Sequence, residues 1–278
     1  MRVAVYCVNA GSSFGNKRAR YVADSMRQGL IKHGISAPAF AKFSGVVADV
    51  AVAYGWVHEP IFSAYKAAGA RFVYWDLGYW NRRPKNAARD GHHRLAVDDW
   101  DTASSMLRGC PGDRLEALGV PFVERREKLG DEILVAGMSE KAAGTHGFKA
   151  GEWERRMAGV LRRMAGPDVP IVVRPKPSKR QKVETTIEQA LERARLLVTH
   201  HSNAAIDALA LDVPIYCVKG AGALLSPPAL SFVDPARPPS TSAEERLALL
   251  RDVAYAQWSV PEMQSGAAWE HVKRIICA

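Results

Sequence analysis

Leu196-Leu-Val-Thr199, His200-His-Ser-Asn203, Ala204-Ala-Ile-Asp-Ala-Leu-Ala-Leu211 and Asp212-Val-Pro-Ile-Tyr-Cys-Val218 follow one another without a break. The first run is short and apolar, as a strand covered on both faces requires. A polar turn follows, then an Ala/Leu segment of helical character over Asn203–Leu211, then a second apolar run behind Pro214. Strand, turn, helix, strand is the repeating unit of a parallel sheet.

The same alternation extends in both directions. Strand-like runs lie at Arg2–Val8, Asp49–Tyr54, Arg71–Trp75, Glu132–Ala136, Pro170–Arg174, Leu196–Thr199 and Pro214–Val218. Helix-like runs lie at Lys17–His33, Pro60–Ala68, Glu152–Met164, Thr185–Arg193, Asn203–Leu211 and Ala243–Ala256, and Gly34 and Gly69 stand where two of them should stop. The pattern breaks between about Cys110 and Gly130, at Gly-Cys-Pro-Gly, Gly-Val-Pro and the charge run Glu124-Arg-Arg-Glu-Lys. It predicts an α/β chain with doubly wound parallel sheets: two Rossmann-like halves, residues 1–125 and 126–278, facing a central cleft. The last helix, near Gly266–Ile276, gathers Trp269, Val272 and Ile275–Ile276 on one face and is expected to pack back on the first half.

The chain has 278 residues and a net charge of +9, which favours anionic ligands and polyanions. No apolar run is long enough to span a bilayer. The N-terminal run reads as a first buried strand rather than a signal peptide. Cys7, Cys110, Cys217 and Cys277 are scattered and form no Cys-x-x-Cys pair. Reduced thiols, a cytoplasmic setting and no metal site are the expectation.

Ligands of open α/β sheets bind beyond the carboxyl ends of the strands. After Thr199, Ser202 or Asn203 is placed to cap the next helix, whose N-terminus then faces a phosphate. His200 or His201 is placed to donate to a diphosphate, and Asp207 to reach a ribose hydroxyl. After Val173 comes Arg174-Pro-Lys-Pro177, a stiff extended segment presenting Arg174 and Lys176. After Ala136 come Gly137, Ser139 and Lys141, a phosphate-facing loop that is not a P-loop. The first strand runs into a Gly/Ser loop with Ser12 and Ser13 but no GxGxxG, which disfavours a dinucleotide-dependent dehydrogenase. The third ends in Tyr74-Trp-Asp-Leu-Gly-Tyr-Trp-Asn-Arg-Arg83. There Asp76 is a candidate general base or a helix cap, Tyr79 and Trp80 are candidate stacking faces, and Arg82 and Arg83 add charge. Asp98 and Asp99 are second-choice carboxylates. Neither GxSxG nor HExxH is present.

Three of these segments resemble GT-B glycosyltransferases of the capsule-polysaccharide and phage-encoded kinds. Arg174-Pro-Lys-Pro177 resembles their basic K-P-H-P-like loop, with Lys176-Pro177 in place of His-Pro. Val198–Ile215 resembles their strand, Ser-containing turn, helix and G-x-P-V strand, with Asp212 in place of the glycine. Asp76-Leu-Gly-Tyr-Trp-Asn-Arg82 resembles their D/E-x-G-x-x-R segment. The resemblance implies a metal-independent transferase that needs no cofactor. It takes a nucleotide sugar, a UDP-sugar by preference, on the second half through Gly137, Lys141, Arg174, Lys176, His200, Ser202, Asn203 and Asp207. His201 joins Asp76 in the chemistry, and the acceptor lies on the first half against Ser12, Ser13, Tyr79, Trp80, Arg82 and Arg83. A hydroxymethylated pyrimidine in DNA is one acceptor that the charge favours; a capsular or lipopolysaccharide hydroxyl is the alternative. A non-catalytic nucleotide- or nucleic-acid-binding protein of the same fold is the third reading.

Overall fold

Val3, Val5, Val50, Val52, Val73 and Trp75 bury one face of a sheet, while Ala4, Tyr6, Ala51, Ala53, Phe72 and Tyr74 bury the other. Strands with both faces covered need apolar residues at every position, and these strands have them. The computed structural model describes residues 1–7, 13–55, 58–82, 91–176 and 185–277, with backbone only for 13–17. The chain divides into two compact units, residues 1–118 with 251–278, and residues 119–250.

In the first unit, β1 (Val3–Tyr6), β2 (Ala39–Phe40), β3 (Val50–Tyr54) and β4 (Arg71–Leu77) run parallel. β5 (His92–Val97) and β10 (Gln257–Ser259) complete the order β10-β5-β4-β3-β1-β2. Both added strands are antiparallel to their neighbours, so this sheet is mixed rather than wholly parallel. Gly78, just after β4, meets the start of β5. The Gly78 N–H donates to the His92 carbonyl at 2.9 Å, and a Cβ on Gly78 would stand 2.7 Å from that oxygen.

Helix α1 (Ser13–Lys32) lies over one face with α9 (Val260–Ser265) and α10 (Ala267–Ile276), and α2 (Glu59–Ala67) covers the other. Met263, Trp269 and Val272 thus share a core with Val22, Met26 and Leu30. Arg114, on α3 (Asp113–Ala117), fastens this C-terminal segment. It donates to the carbonyls of Ala254 (3.2 Å) and Gln257 (2.8 Å) and lies over the Trp258 ring at 3.8 Å.

Two buried histidines make this unit acid-sensitive. Burial, aided by Arg18, pushes His93 down to about 4. Burial, aided by Arg274 and Arg114, does the same to His271. Between their ordinary value near 6.5 and about 4, the unfolded chain binds protons that the folded chain refuses, so stability falls as pH drops through that window. Thermal melts from pH 7.5 to 4.5 should show Tm falling by about 5 °C or more; a flat Tm would contradict this.

The second unit carries β6 (Glu132–Ala136), α4 (Glu140–Thr145), α5 (Glu152–Ala165), β7 (Ile171–Arg174), α6 (Ile187–Glu192), β8 (Ala194–Thr199), α7 (Ala204–Ala210) and β9 (Ile215–Cys217). Its sheet is wholly parallel in the order β7-β6-β8-β9. Ile133, Val135, Leu196 and Val198 form its core with Trp153 and Leu161 of α5. The boundary at residue 250 falls inside α8 (Ala243–Tyr255). Among the described residues no helix is long and apolar enough to cross a membrane.

Candidate functional site

From β6 the chain moves to β7 on one side; from β8 it moves to β9 on the other. The carboxyl ends of β6 and β8 therefore flank the point where connections diverge, the position at which open α/β sheets take ligands. A pocket sits there, lined by Gly137 and Met138 after β6, Lys176 after β7, and Thr199, His200, His201 and Ser202 at the end of β8. It is small, enclosing about 10 Å³, room for about one water molecule.

Gly137 lets the loops close. Its N–H donates to the Arg174 carbonyl at 2.9 Å. A Cβ there would stand 2.7 Å from Oε1 of Glu154 and 3.3 Å from the Arg174 oxygen. Glu154, on α5, is only 4% exposed. Its Oε1 accepts the Met138 N–H at 2.7 Å, and its Oε2 finds no hydrogen-bond partner among the described residues. Gly137→Ala should cost about 1–3 kcal/mol of stability, as overpacking does. Denaturant unfolding measures it, and a loss below about 0.5 kcal/mol would mean the floor yields freely.

The histidines sit in a mixed setting. His200 is buried, with the Trp153 ring 5.7 Å and the Phe148 ring 6.1 Å from its own. Its Nδ1 lies 2.9 Å from Nδ1 of His201. Burial, helped by His146 and Lys219, pushes His200 down to about 4, so its ring is neutral at pH 7 and donates only through a ring N–H. His146, which follows α4, was not foreseen; its ring lies 4.5 Å from that of His200 and 4.9 Å from that of His201.

The expected helix-end phosphate site is differently built. Ser202, not Asn203, supplies the cap: its Oγ accepts the Ala204 N–H at 3.2 Å, and Asn203 makes no side-chain cap bond. The N–H groups of Ala205 and Ile206 go to the carbonyls of Ser202 and Asn203. The first amides of α7 are thus engaged, and the pocket's donors are side chains. Arg174 does not line the pocket; its Nη2 donates to the Thr185 carbonyl at 3.0 Å. Lys141 is exposed on α4, and Asp207 is half-buried one turn into α7; neither lines the pocket.

In the first unit, Asp76 is not a helix cap; it lies in β4 opposite Arg94 of β5. Its Oδ2 accepts from the Tyr74 hydroxyl at 2.9 Å and lies 3.7 Å from Arg94 Nη2, while Oδ1 accepts the Leu77 N–H at 2.7 Å. Tyr79, expected to offer a stacking face, is 3% exposed with the Arg94 guanidinium 5.7 Å from its ring centre. Its N–H and that of Trp80 both donate to Gln257 Oε1, at 2.7 and 3.1 Å. Trp80 and Arg82 are half-buried. Ser12 and Arg83 lie outside the described residues, and of Ser13 only the backbone is described. Asp98 pairs with Arg71 and accepts the Phe72 N–H at 2.8 Å, tying the end of β5 to the start of β4, and Asp99 accepts the Trp100 N–H at 2.6 Å within its own turn.

No protein-family model and no characterised protein sequence matches the chain. Nineteen chains of solved structures do, two of them from KpsC. One is Thermosulfurimonas dismutans KpsC, beta Kdo 2,4 transferase, at 12% identity and a TM-score of 0.50, over 93% of this chain and 92% of that one. The other is the beta Kdo 2,7 transferase of KpsC from the same organism, also at 12% identity and a TM-score of 0.50, over 97% and 99%. At this identity the likeness shows a shared Rossmann-like α/β fold along nearly the whole of each chain.

Proposed function

We propose that the chain is a glycosyltransferase of GT-B type, moving a sugar from a nucleotide sugar to a hydroxyl acceptor. The observation that carries this is the convergence of Lys176, His200, His201 and Ser202 on one small pocket at the switch point of the second sheet. The fold shared with two Kdo transferases supports it. Lys176 and the N–H groups of the His200–His201 pair bind the donor's phosphate and stabilise it as the bond to the anomeric carbon breaks. That carbon forms its new bond to the acceptor oxygen, and Asp76 takes the acceptor's proton.

A saccharide hydroxyl is the acceptor that the structural neighbours favour. The net charge of +9 favours an anionic acceptor, and a hydroxymethylated pyrimidine in DNA is the second reading. The test incubates the protein with UDP-, GDP- and CMP-sugars, each with acidic oligosaccharides and with hydroxymethylated DNA, followed by mass spectrometry. A mass increase of one sugar on either acceptor is expected. Unmodified DNA alongside modified oligosaccharide sinks the DNA reading. No turnover of any donor, hydrolysis included, sinks the transferase.

A further inference from the structure

His146, His200 and His201 form, among the described residues, the one group of three potential ligands close enough to share a cation: one atom from each lies within 4.8 Å of the other two. We propose that these three histidines bind one divalent transition-metal ion of the zinc class, leaving a fourth position open to the pocket that Lys176 and Ser202 line. Three protein nitrogens plus an exchangeable ligand is the pattern of open zinc sites.

The His200–His201 pair stands near ligating distance, and the His146 nitrogen, within 4.8 Å of both, has to move in by up to about 1.5 Å to share the ion. Two Nδ1 lone pairs at 2.9 Å repel unless a proton or a metal lies between them. With metal–nitrogen bonds of about 2.0–2.1 Å, that separation subtends about 90° at the ion, and opening it by about half an ångström gives a tetrahedral angle. His146 ends a six-residue helix, so the third ligand approaches from a short element. Phe148 and Trp153 pack against His200 and limit its rotation. Neutral imidazole is the ligand form. The donor set is nitrogen only, and Lys176 and Lys219 stand nearby. That selects zinc, cobalt or nickel over magnesium or calcium, which want oxygen ligands. It also favours an anion in the fourth position. The resemblance to GT-B enzymes implies metal-independent transfer, but metal binding is read directly and does not rest on the transferase reading.

The test uses the full chain without a histidine tag, stripped with chelator, loaded with zinc and desalted. Elemental analysis should find one zinc per chain, and titration calorimetry should show its Kd rising about 100-fold or more in His146→Ala and in His201→Gln. Cobalt should give visible absorption bands in the wild type and not in either variant. Zinc should raise the Tm of the wild type alone. Magnesium at millimolar concentration should leave zinc binding unchanged. Well under half a zinc per chain, displacement by magnesium, or wild-type affinity in both variants would overturn the site. Melts of the metal-free variants show whether they are folded, and a variant that is not folded is replaced by the glutamine or asparagine form.

Discussion

Arg246→Met is expected to remove about 3–5 kcal/mol of stability, the range found when one partner of a buried ion pair is lost. Arg246 is 2% exposed. Its Nη1 donates to the carbonyls of Val123 (3.0 Å) and Leu209 (2.7 Å), its Nη2 to that of Glu124 (2.6 Å) and its Nε to that of Thr241 (3.4 Å), while Nη2 also forms an ion pair with Oδ1 of Asp212 at 3.1 Å. Asp212 in turn accepts the Arg126 N–H at 2.8 Å through Oδ2. One guanidinium therefore holds residues 123–126 against the end of α7. Methionine fills the stem's volume but leaves four carbonyls without this donor and Asp212 without its cationic partner. Buried acceptors left unmet carry their whole desolvation cost. Against a typical total of about 5–15 kcal/mol, the variant would be marginal. Guanidinium or urea unfolding of the full chain measures the loss, with a drop below about 1 kcal/mol refuting the role. Asp212→Asn separates the charge from the conformation. Asp212 holds φ +54°, a left-handed position that asparagine also tolerates. Its loss should therefore be smaller than that of Arg246→Met.

Asp212 also shows how far the sequence was readable. In the resembling segment a glycine is usual there, and the left-handed backbone explains why. Aspartate keeps the backbone and spends its carboxylate on Arg246, which no spacing rule reveals. The largely apolar runs of β1, β3, β6 and β8 announced parallel strands because both their faces are covered. β5 stayed hidden because it opens His92-His-Arg, and β10 because three residues make no pattern. Lys176, His200, His201 and Ser202 could be singled out because each lies within three residues of a strand's end. His146 was not, because only the adjacency of β6 and β8 brings its loop to the histidine pair. Glu154 looks like an ordinary acid in the first turn of a helix, yet its carboxylate is buried beside the Met138 amide. The cap is the clearest local lesson: Ser202 and Asn203 are equally good cap residues by type, and only the chain's path selects Ser202.

Asp76→Asn should lower kcat by about 10²–10⁴-fold, the span that a positioned general base supplies. Asparagine keeps an oxygen for the Tyr74 hydroxyl and the shape of the side chain, but it cannot accept a proton. The substitution lies in β4 of the first unit, while the pocket residues belong to the second. Donor binding should thus be unchanged, and the loss should appear in kcat with the donor's KM nearly constant. Two interactions make a structural role the serious rival: the Tyr74 hydrogen bond and the 3.7 Å approach of Arg94, whose side chain is 21% exposed. A melting curve and the KM–kcat split tell them apart. A base leaves Tm within a few degrees and empties kcat. An ion-pair anchor lowers Tm and spares kcat in the fraction that stays folded. Arg94→Lys is the companion variant, since it keeps a charge opposite Asp76 and should retain most of the turnover. If Asp76→Asn keeps kcat within about threefold of wild type, Asp76 is not the base, and the acceptor's proton leaves by another route.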